Sequence, residues 1–529
     1  MGTSDRSTSY WILIIILSSV AIVVEYTETM LFPAIPSIVE DFETTYNYSS
    51  WILSGFLITA AVMCPIAGKL SDIFGKKNVF LAIMAIFAGS VVLGSFTNSI
   101  SFLIATRFIQ GIGLSTFTVA LSIMEFEMPK EKYALAFGSM TATYFGGSTI
   151  GLTLGGVITE YFGWHMTFIS LIPIVVILFV LILKFLKIKG DLLQQQQQQQ
   201  QQHTYRQFLK RAKSSLSHTS NAITKNSVHE QKEYYTDERH PIHEVLDIKG
   251  AIALGASISS FLASLTYITN SGEFSSLALF GGLLTVSAIS ILIFIIQEKR
   301  SVSPLIKGSL ILNKIALPAI FMLTIYGMTL FILYQTIPVL VTAPSPAGFG
   351  GSSVTASFVL LPFTIIFLVM SPVVSVIVSK FGNIRPLIVG SLMCVVGFFG
   401  LLFFHSTELD VSTNLSLVAV GLALIDTIAF SIIMISTPKQ FGGISIGMVQ
   451  VLLFGGMSIG PVVAAINLQN HQIIVATNTS ESDSFPSSLS YYHVFLTAAL
   501  ASIVFVVAAA VLKKTLPSNL SNPQIRSFK

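Results

Sequence analysis

Charge is scarce in this chain. Asp, Glu, Lys and Arg together make up 10% of its 529 residues, where a soluble domain carries about 25%. That shortage excludes a fold whose surface is wet all round. Cysteine is nearly absent as well. The two present, Cys64 and Cys394, cannot build a disulfide framework or a metal site, and both fall within apolar stretches, where they read as small packing residues. There is no glycine-rich phosphate loop, no metal-ligand spacing and no paired nucleophile and base. Nothing therefore points to an enzyme, and no metal or cofactor is expected. The net charge of +4 is too small to mark a nucleic-acid partner.

What the chain has instead is long apolar runs, with 53% hydrophobic residues overall. They fall at 10–33, 50–70, 78–97, 102–123, 134–158, 164–187, 249–269, 276–297, 314–341, 353–379, 385–404, 413–435, 444–466 and 490–513. Each is near the length that crosses about 30 Å of hydrocarbon as a helix. Fourteen membrane helices are expected. Every second connection holds no Lys or Arg, although acids such as Glu40, Asp41, Glu43, Glu408, Asp410, Glu481 and Asp483 lie there. The other connections, both tails and the segment ends that adjoin them hold 28 of the 29 basic residues. Basic connections stay on the cytoplasmic side, so the sequence predicts a multi-pass protein of the cell membrane with both termini cytoplasmic. The first segment lacks a small-residue cleavage site and reads as a retained helix.

The exception among the basic residues is Arg107, alone inside the apolar phase, where a charge is costly and marks function by default. Residues Arg107, Gly111, Ser115, Thr118, Ser122 and Glu125 recur within about 80° of one helical face. Such a stripe lines a water-accessible path or forms a polar seam between packed helices. Asp426 stands alone near the middle of the twelfth segment, where it either binds a proton or cationic substrate or bonds to a neighbouring helix. His405 and His493 fall at segment ends and read as interfacial.

The chain also repeats itself. Gly146-Gly147-Ser148-Thr149-Ile150-Gly151 in the fifth segment resembles Gly455-Gly456-Met457-Ser458-Ile459-Gly460 in the thirteenth, and Phe74-Gly75 matches Phe381-Gly382. Both matches fall at nearly one separation. Two parallel six-helix halves follow, facing each other about an axis along the membrane normal. The expected domains are an N-terminal bundle (1–187), a cytoplasmic loop (188–248), an inserted two-helix hairpin (249–297), a C-terminal bundle (314–513) and a tail (514–529). The loop contains an unbroken glutamine run, Gln194 to Gln202, which reads as a disordered spacer. The stretch after it, 205–216, is either a basic helix on the inner leaflet or a solvated strand of charge.

Four motifs carry a family resemblance. Gly68-Lys69-Leu70-Ser71-Asp72-Ile73-Phe74-Gly75-Lys76-Lys77 resembles the signature loop of the major facilitator superfamily, with Ile73 where that family usually has Arg. The resemblance implies that Gly68, Asp72, Gly75, Lys76 and Lys77 form a latch between the halves. Leu103-x-x-x-Arg107-x-x-Gln110-Gly111-x-Gly113 resembles the family's helix-4 motif, whose Arg is linked to proton coupling. With the polar stripe on the same helix, it gives an expected substrate path along Gln110, Gly111, Ser115 and Thr118. Gly147-x-x-x-Gly151-Leu152-x-x-Gly155-Gly156 resembles the helix-5 motif of the antiporters, with Leu152 in place of Pro; the second copy keeps it as Pro461. Thr27-Glu28-Thr29, followed by Ala34-Ile35-Pro36, resembles the acidic helix-1 motif of the fourteen-helix drug:proton antiporters. Thr27 stands where that branch commonly has Asp, and Glu25, three residues before Glu28, is the expected substitute.

Glu28 and Arg107 lie at similar depth, so they can pair. Making and breaking that pair would load and release a proton; a static pair would only join two helices. The expected fold is an all-α membrane protein of the major facilitator type, with two six-helix bundles plus two additional helices. The expected function is proton-coupled efflux of lipophilic or cationic compounds by a monomer, with Glu25, Glu28, Arg107 and Asp426 handling protons. The partners are a small-molecule substrate, protons and the lipid bilayer. A transporter of one metabolite, or a sensor that no longer transports, remain the alternatives.

Overall fold

The computed structural model describes residues 3–128, 130–186, 188, 247–267, 274–301, 313–437, 442–476 and 482–516. The glutamine run and the 205–216 stretch lie outside them. The helices are α1 (Thr3–Thr29), α2 (Ile35–Asp41), α3 (Tyr46–Phe74), α4 (Lys76–Ser95), α5 (Ile100–Gln110), α6 (Ser115–Glu127), α7 (Lys130–Phe162), α8 (His165–Phe185), α9 (Ile248–Tyr267) and α10 (Phe274–Arg300). They continue as α11 (Ala316–Thr342), α12 (Ser353–Phe381), α13 (Ile384–Phe403), α14 (Glu408–Ser436), α15 (Gly442–Asn470) and α16 (Ser488–Thr515). A 3-10 turn, Gly111–Leu114, joins α5 to α6. An antiparallel pair, β1 (Gln472–Ala476) and β2 (Ser482–Pro486), joins α15 to α16 in the register Gln472↔Pro486.

Helices dominate because only intra-segment hydrogen bonding satisfies the backbone in an apolar medium. Among the described residues, 13 helices are long and apolar enough to cross a membrane. The expected fifth segment is a helix too, α7, but its Gly, Ser and Thr content keeps it outside that set. The ends of the helices are marked chemically. Thr45, Ser99, Ser352 and Thr407 accept hydrogen bonds from the first-turn N–H groups of α3, α5, α12 and α14. These caps all lie on the face that carries the acids. On the opposite face Lys184, Lys299, Arg300, Lys380, Lys513 and Lys514 occupy last turns, where cations oppose the negative end of the helix dipole.

The repeat is structural. α1 packs on α7, as α11 packs on α15, and the halves meet where α7 touches α12 and α3 touches α15. Gly75 and Gly382 end α3 and α12 with φ of +87° and +77°, a backbone that only glycine adopts cheaply. A Cβ at Gly147 would lie 2.6 Å from the Ile22 carbonyl oxygen of α1, and one at Gly456 would lie 2.1 Å from that of Thr324 in α11. Each glycine run thus lets one helix press its backbone onto a partner. The α9–α10 hairpin attaches through α9. Ala251 and Leu254 pack with Val62 and Ile66 of α3 and Val451 of α15, so the hairpin covers the α3–α15 seam. In the α10 span only 11% of residues are buried; its apolar surface faces outward, as lipid contact requires.

Two expected helices depart from continuity. The first segment stops at Thr29 and resumes after a turn as α2. Pro33 has no N–H to donate, and 3-10-type bonds from Phe32 to Thr29 and from Ala34 to Leu31 carry the chain round. The fourth segment tightens to 3-10 at Gly111–Leu114, beside Arg107.

Candidate functional site

The break in α1 creates the site. Where the helix stops, the carbonyls of Thr27 and Glu28 have no helical donor. Arg107, fully buried, supplies one. Its Nη1 donates to the Thr27 carbonyl at 2.9 Å and to Gln110 Oε1 at 3.0 Å; Nη2 donates to the Glu28 carbonyl at 3.3 Å, and Nε to the Ile52 carbonyl at 3.0 Å. The guanidinium carbon lies 4.3 Å from the centre of the Phe56 ring, a favourable cation–π distance. Arg107 therefore meets Glu28 through the main chain. It ties the open end of α1 to α3 and α5.

The other members of the helix-4 motif extend this scaffold. Gln110 donates to the Ser90 carbonyl of α4 at 3.1 Å. Gly111 lies against α3, where a Cβ would stand 2.1 Å from the Phe56 carbonyl oxygen. The Ser115 hydroxyl returns to the Ile112 carbonyl. The Thr118 hydroxyl crosses to the other half and donates to Gln450 Oε1 at 2.6 Å. None of these four lines the central cavity.

Glu25 and Glu28 do line it. Their carboxyls lie within hydrogen-bonding reach of each other, and Glu25 is within reach of the Tyr144 hydroxyl. Both residues are buried, and Glu25 Oε2 and Glu28 Oε1 have no partner. Two buried carboxylates side by side cannot both hold a charge without a cation, so the pair shares a proton or awaits a cation. The cavity lies between the halves: Ser148 and Phe145 of α7 face Tyr326, Phe331 and Tyr334 of α11 and Phe367 of α12. Phe32, in the turn after α1, closes its end on the acid-rich face. Its ring lies 5.4 Å from Phe331 and 4.8 Å from Tyr334.

Asp426 is half-buried on α14. It lies within electrostatic reach of Tyr326 and Tyr144 but does not line the cavity. In the signature loop, Lys76 pairs with Asp72 at 3.0 Å and donates to the Ser122 hydroxyl of α6. Lys77 donates to the Leu183 carbonyl of α8 at 3.0 Å, and Gly68 faces Thr118. These contacts tie the loop to its own half. Asp72 is 70% exposed, and an exposed pair contributes little. Gly147, Gly151 and Gly155 press on α1, while Gly156 meets Ser353 and Ser357 of α12.

Tyr326, Phe331 and Tyr334 were not singled out from the sequence. Their signal is there: Tyr326, Leu330 and Tyr334 recur every four residues in an otherwise aliphatic segment, which puts them on one face.

A bundle of membrane-spanning helices in two related halves, with a carboxyl pair buried between them, defines a membrane transporter. The sequence profile of the Major Facilitator Superfamily matches residues 17–227 and 248–461, and the chain belongs to that family. It is 26% identical over 372 residues to multidrug resistance protein 3 of Bacillus subtilis (strain 168), a match covering 70% of this chain and 61% of that protein. It is 22% identical over 464 residues to the tetracenomycin C resistance and export protein of Streptomyces glaucescens, covering 86% of this chain and 75% of that one. The chain thus spans about three fifths of the first of these relatives. Two solved structures share the fold: the human organic anion transporter MFSD10, with a TM-score of 0.57 at 14% identity (97% of this chain, 100% of that one), and the nucleoside transporter NupG, with 0.59 at 11% identity (94% and 99%).

Proposed function

We propose that this transporter exports lipophilic or cationic compounds in exchange for protons, acting as a monomer in the cell membrane with both termini in the cytoplasm. The observation that carries the reading is the Glu25–Glu28 pair. Two acids facing one cavity, with a buried oxygen free on each and Arg107 committed to main-chain carbonyls, can exchange a proton for a cation. The aromatic walls suit a flat apolar body, since tyrosine and phenylalanine faces attract positive charge. The acid-rich face is the outer one by the distribution of basic residues. The six helices α1 and α3–α8, with α5 and α6 counted as one span, rock against α11–α16 and expose the cavity to each side in turn. A proton crossing 100 mV supplies about 2.3 kcal/mol, enough for a gradient of about fortyfold. The export and resistance proteins among the relatives support efflux as the direction.

Reconstituted vesicles test this. An imposed inward proton gradient should drive efflux of a fluorescent lipophilic cation, and Glu25→Gln and Glu28→Gln should each abolish the driven flux while the protein still inserts. Driven transport that survives in both variants would reject the pair as the coupling site. Leu152 bears on the rival reading, transport of one metabolite without antiport, because the antiporters have Pro there. The equivalent Pro461 lies inside α15 without ending it, and α7 also runs unbroken through Leu152. Downhill flux alone in the vesicles would favour that rival, and no flux a sensor.

A further inference from the structure

On the acid-rich face the two halves are joined where α7 meets α12. The Ser357 hydroxyl donates to the Leu152 carbonyl at 2.8 Å. Gly156 lies so close to α12 that a Cβ would meet the Ser353 carbonyl oxygen at 2.6 Å. One helical turn further out, Glu160 Oε2 accepts a hydrogen bond from the Ser353 N–H at 3.0 Å. Ser353 is the first residue of α12, and Ser352 caps the same turn from within. A carboxylate from one half thus sits on the positive end of a helix in the other.

The repeat provides an internal comparison. The position matching Glu160 in the second copy is occupied by Gln469, whose Oε1 is buried without a partner. There α15 meets α3, whose first residue is Tyr46, capped by Thr45. The packing of a helix pair on this face does not need an acid. Only one of the two seams has it.

We infer that Glu160 is an outer latch: its carboxylate holds α12 closed on α7 and must let go of the Ser353 N–H before the cavity opens on that face. The inference rests on the alternating-access reading and adds the residue that fastens the outer side. The other ionisable groups nearby are held elsewhere. The first turn of α12 has no acid and its last basic residue is at the far end. His165 of α8 is bonded to the Thr97 carbonyl and stacked on Trp164, and Asp41 is held by the Trp164 indole. Glu25 and Glu28 of α1 lie deeper, Glu125 and Glu127 of α6 at the opposite end, and Tyr161 follows Glu160 in the chain.

The test uses the full chain in membranes, with Cys64→Ala and Cys394→Ala removing the native thiols and Ser148→Cys reporting from the cavity. A membrane-impermeant maleimide is added to the acid-rich face. Glu160→Gln should raise the labelling rate about fivefold at pH 7.5, the factor that one lost helix-terminal carboxylate corresponds to. The readout is the ratio of this rate to that of the Glu160 parent under the same conditions, which cancels the reactivity of the thiol itself. Glu160→Asp should lie between the two. A ratio of one overturns the latch while leaving alternating access intact. A reporter that stays unlabelled in every variant overturns the opening of the cavity to that face, and the latch with it.

Discussion

Replacing Arg107 by Met separates a main-chain clamp from an ion pair. The guanidinium satisfies four acceptors: the carbonyls of Ile52, Thr27 and Glu28 and the Gln110 side chain. Leaving a buried acceptor unpaired costs about 1 kcal/mol at the low end; the Ile52 carbonyl keeps its helical N–H inside α3, so the other three sum to about 3 kcal/mol. That lies within the range of about 3–5 kcal/mol for breaking a buried charged network. Glu28→Gln removes a carboxylate and leaves the Glu28 carbonyl where it is. Its effect on stability should be under about 1 kcal/mol. Arg107 touches the Glu28 carbonyl and lies within electrostatic reach of its carboxylate, so the double variant should depart from additivity, but by no more than about 1 kcal/mol, against about 3 kcal/mol for a direct pair. Denaturant unfolding of the purified protein in detergent, on the parent, the two single variants and the double variant, supplies the cycle. If Glu28→Gln costs as much as Arg107→Met and the departure from additivity reaches about 3 kcal/mol, the charges pair directly and the clamp is wrong.

Two further outcomes follow from the packing and the charge asymmetry. Gly151→Ala should destabilise by about 1–3 kcal/mol, because its Cβ would meet the Thr29 hydroxyl and the Tyr26 carbonyl oxygen at 2.7 Å or closer, whereas Gly146→Ala, with nothing within 4 Å, should be neutral; equal melting shifts in the two would contradict the α1–α7 contact. A cysteine at Ser484 should label from outside intact cells and one at Ser214 only after permeabilisation; the reverse pattern would invert the orientation.

How far the sequence reaches can be seen residue by residue. The acidic pair was legible, since Glu25 and Glu28 lie three residues apart in an apolar segment and so share a face. The glycines of the fifth segment were legible because close packing leaves a spacing that needs no partner to be recognised. Arg107 was legible as an outlier, but its contacts were not. Equal depth made a side-chain pair with Glu28 plausible, and only the break at Pro33 left main-chain carbonyls for it to take. Asp426 looked like a fourth member of the group because it stands alone in the middle of an apolar segment; its helix, α14, sets it to one side of the cavity. Gln110, Gly111 and Ser115 share a face with Arg107, yet that face meets other helices.

Sequence alone determined the membrane spans, the asymmetry of basic charge, the duplication and the family. Each of these is imposed by the surroundings of a whole segment, and a bilayer selects composition over twenty residues at a time. Tertiary structure alone decided which atoms meet. Successive residues on a helix turn by about 100°, so a break of a few residues, as at Met30–Ala34 or Gly111–Leu114, re-aims everything beyond it. Which neighbours the aromatic face of α11 meets, the main-chain clamp of Arg107 and the carboxylate of Glu160 on the end of α12 depend on how whole helices are set against each other, and no local pattern records that.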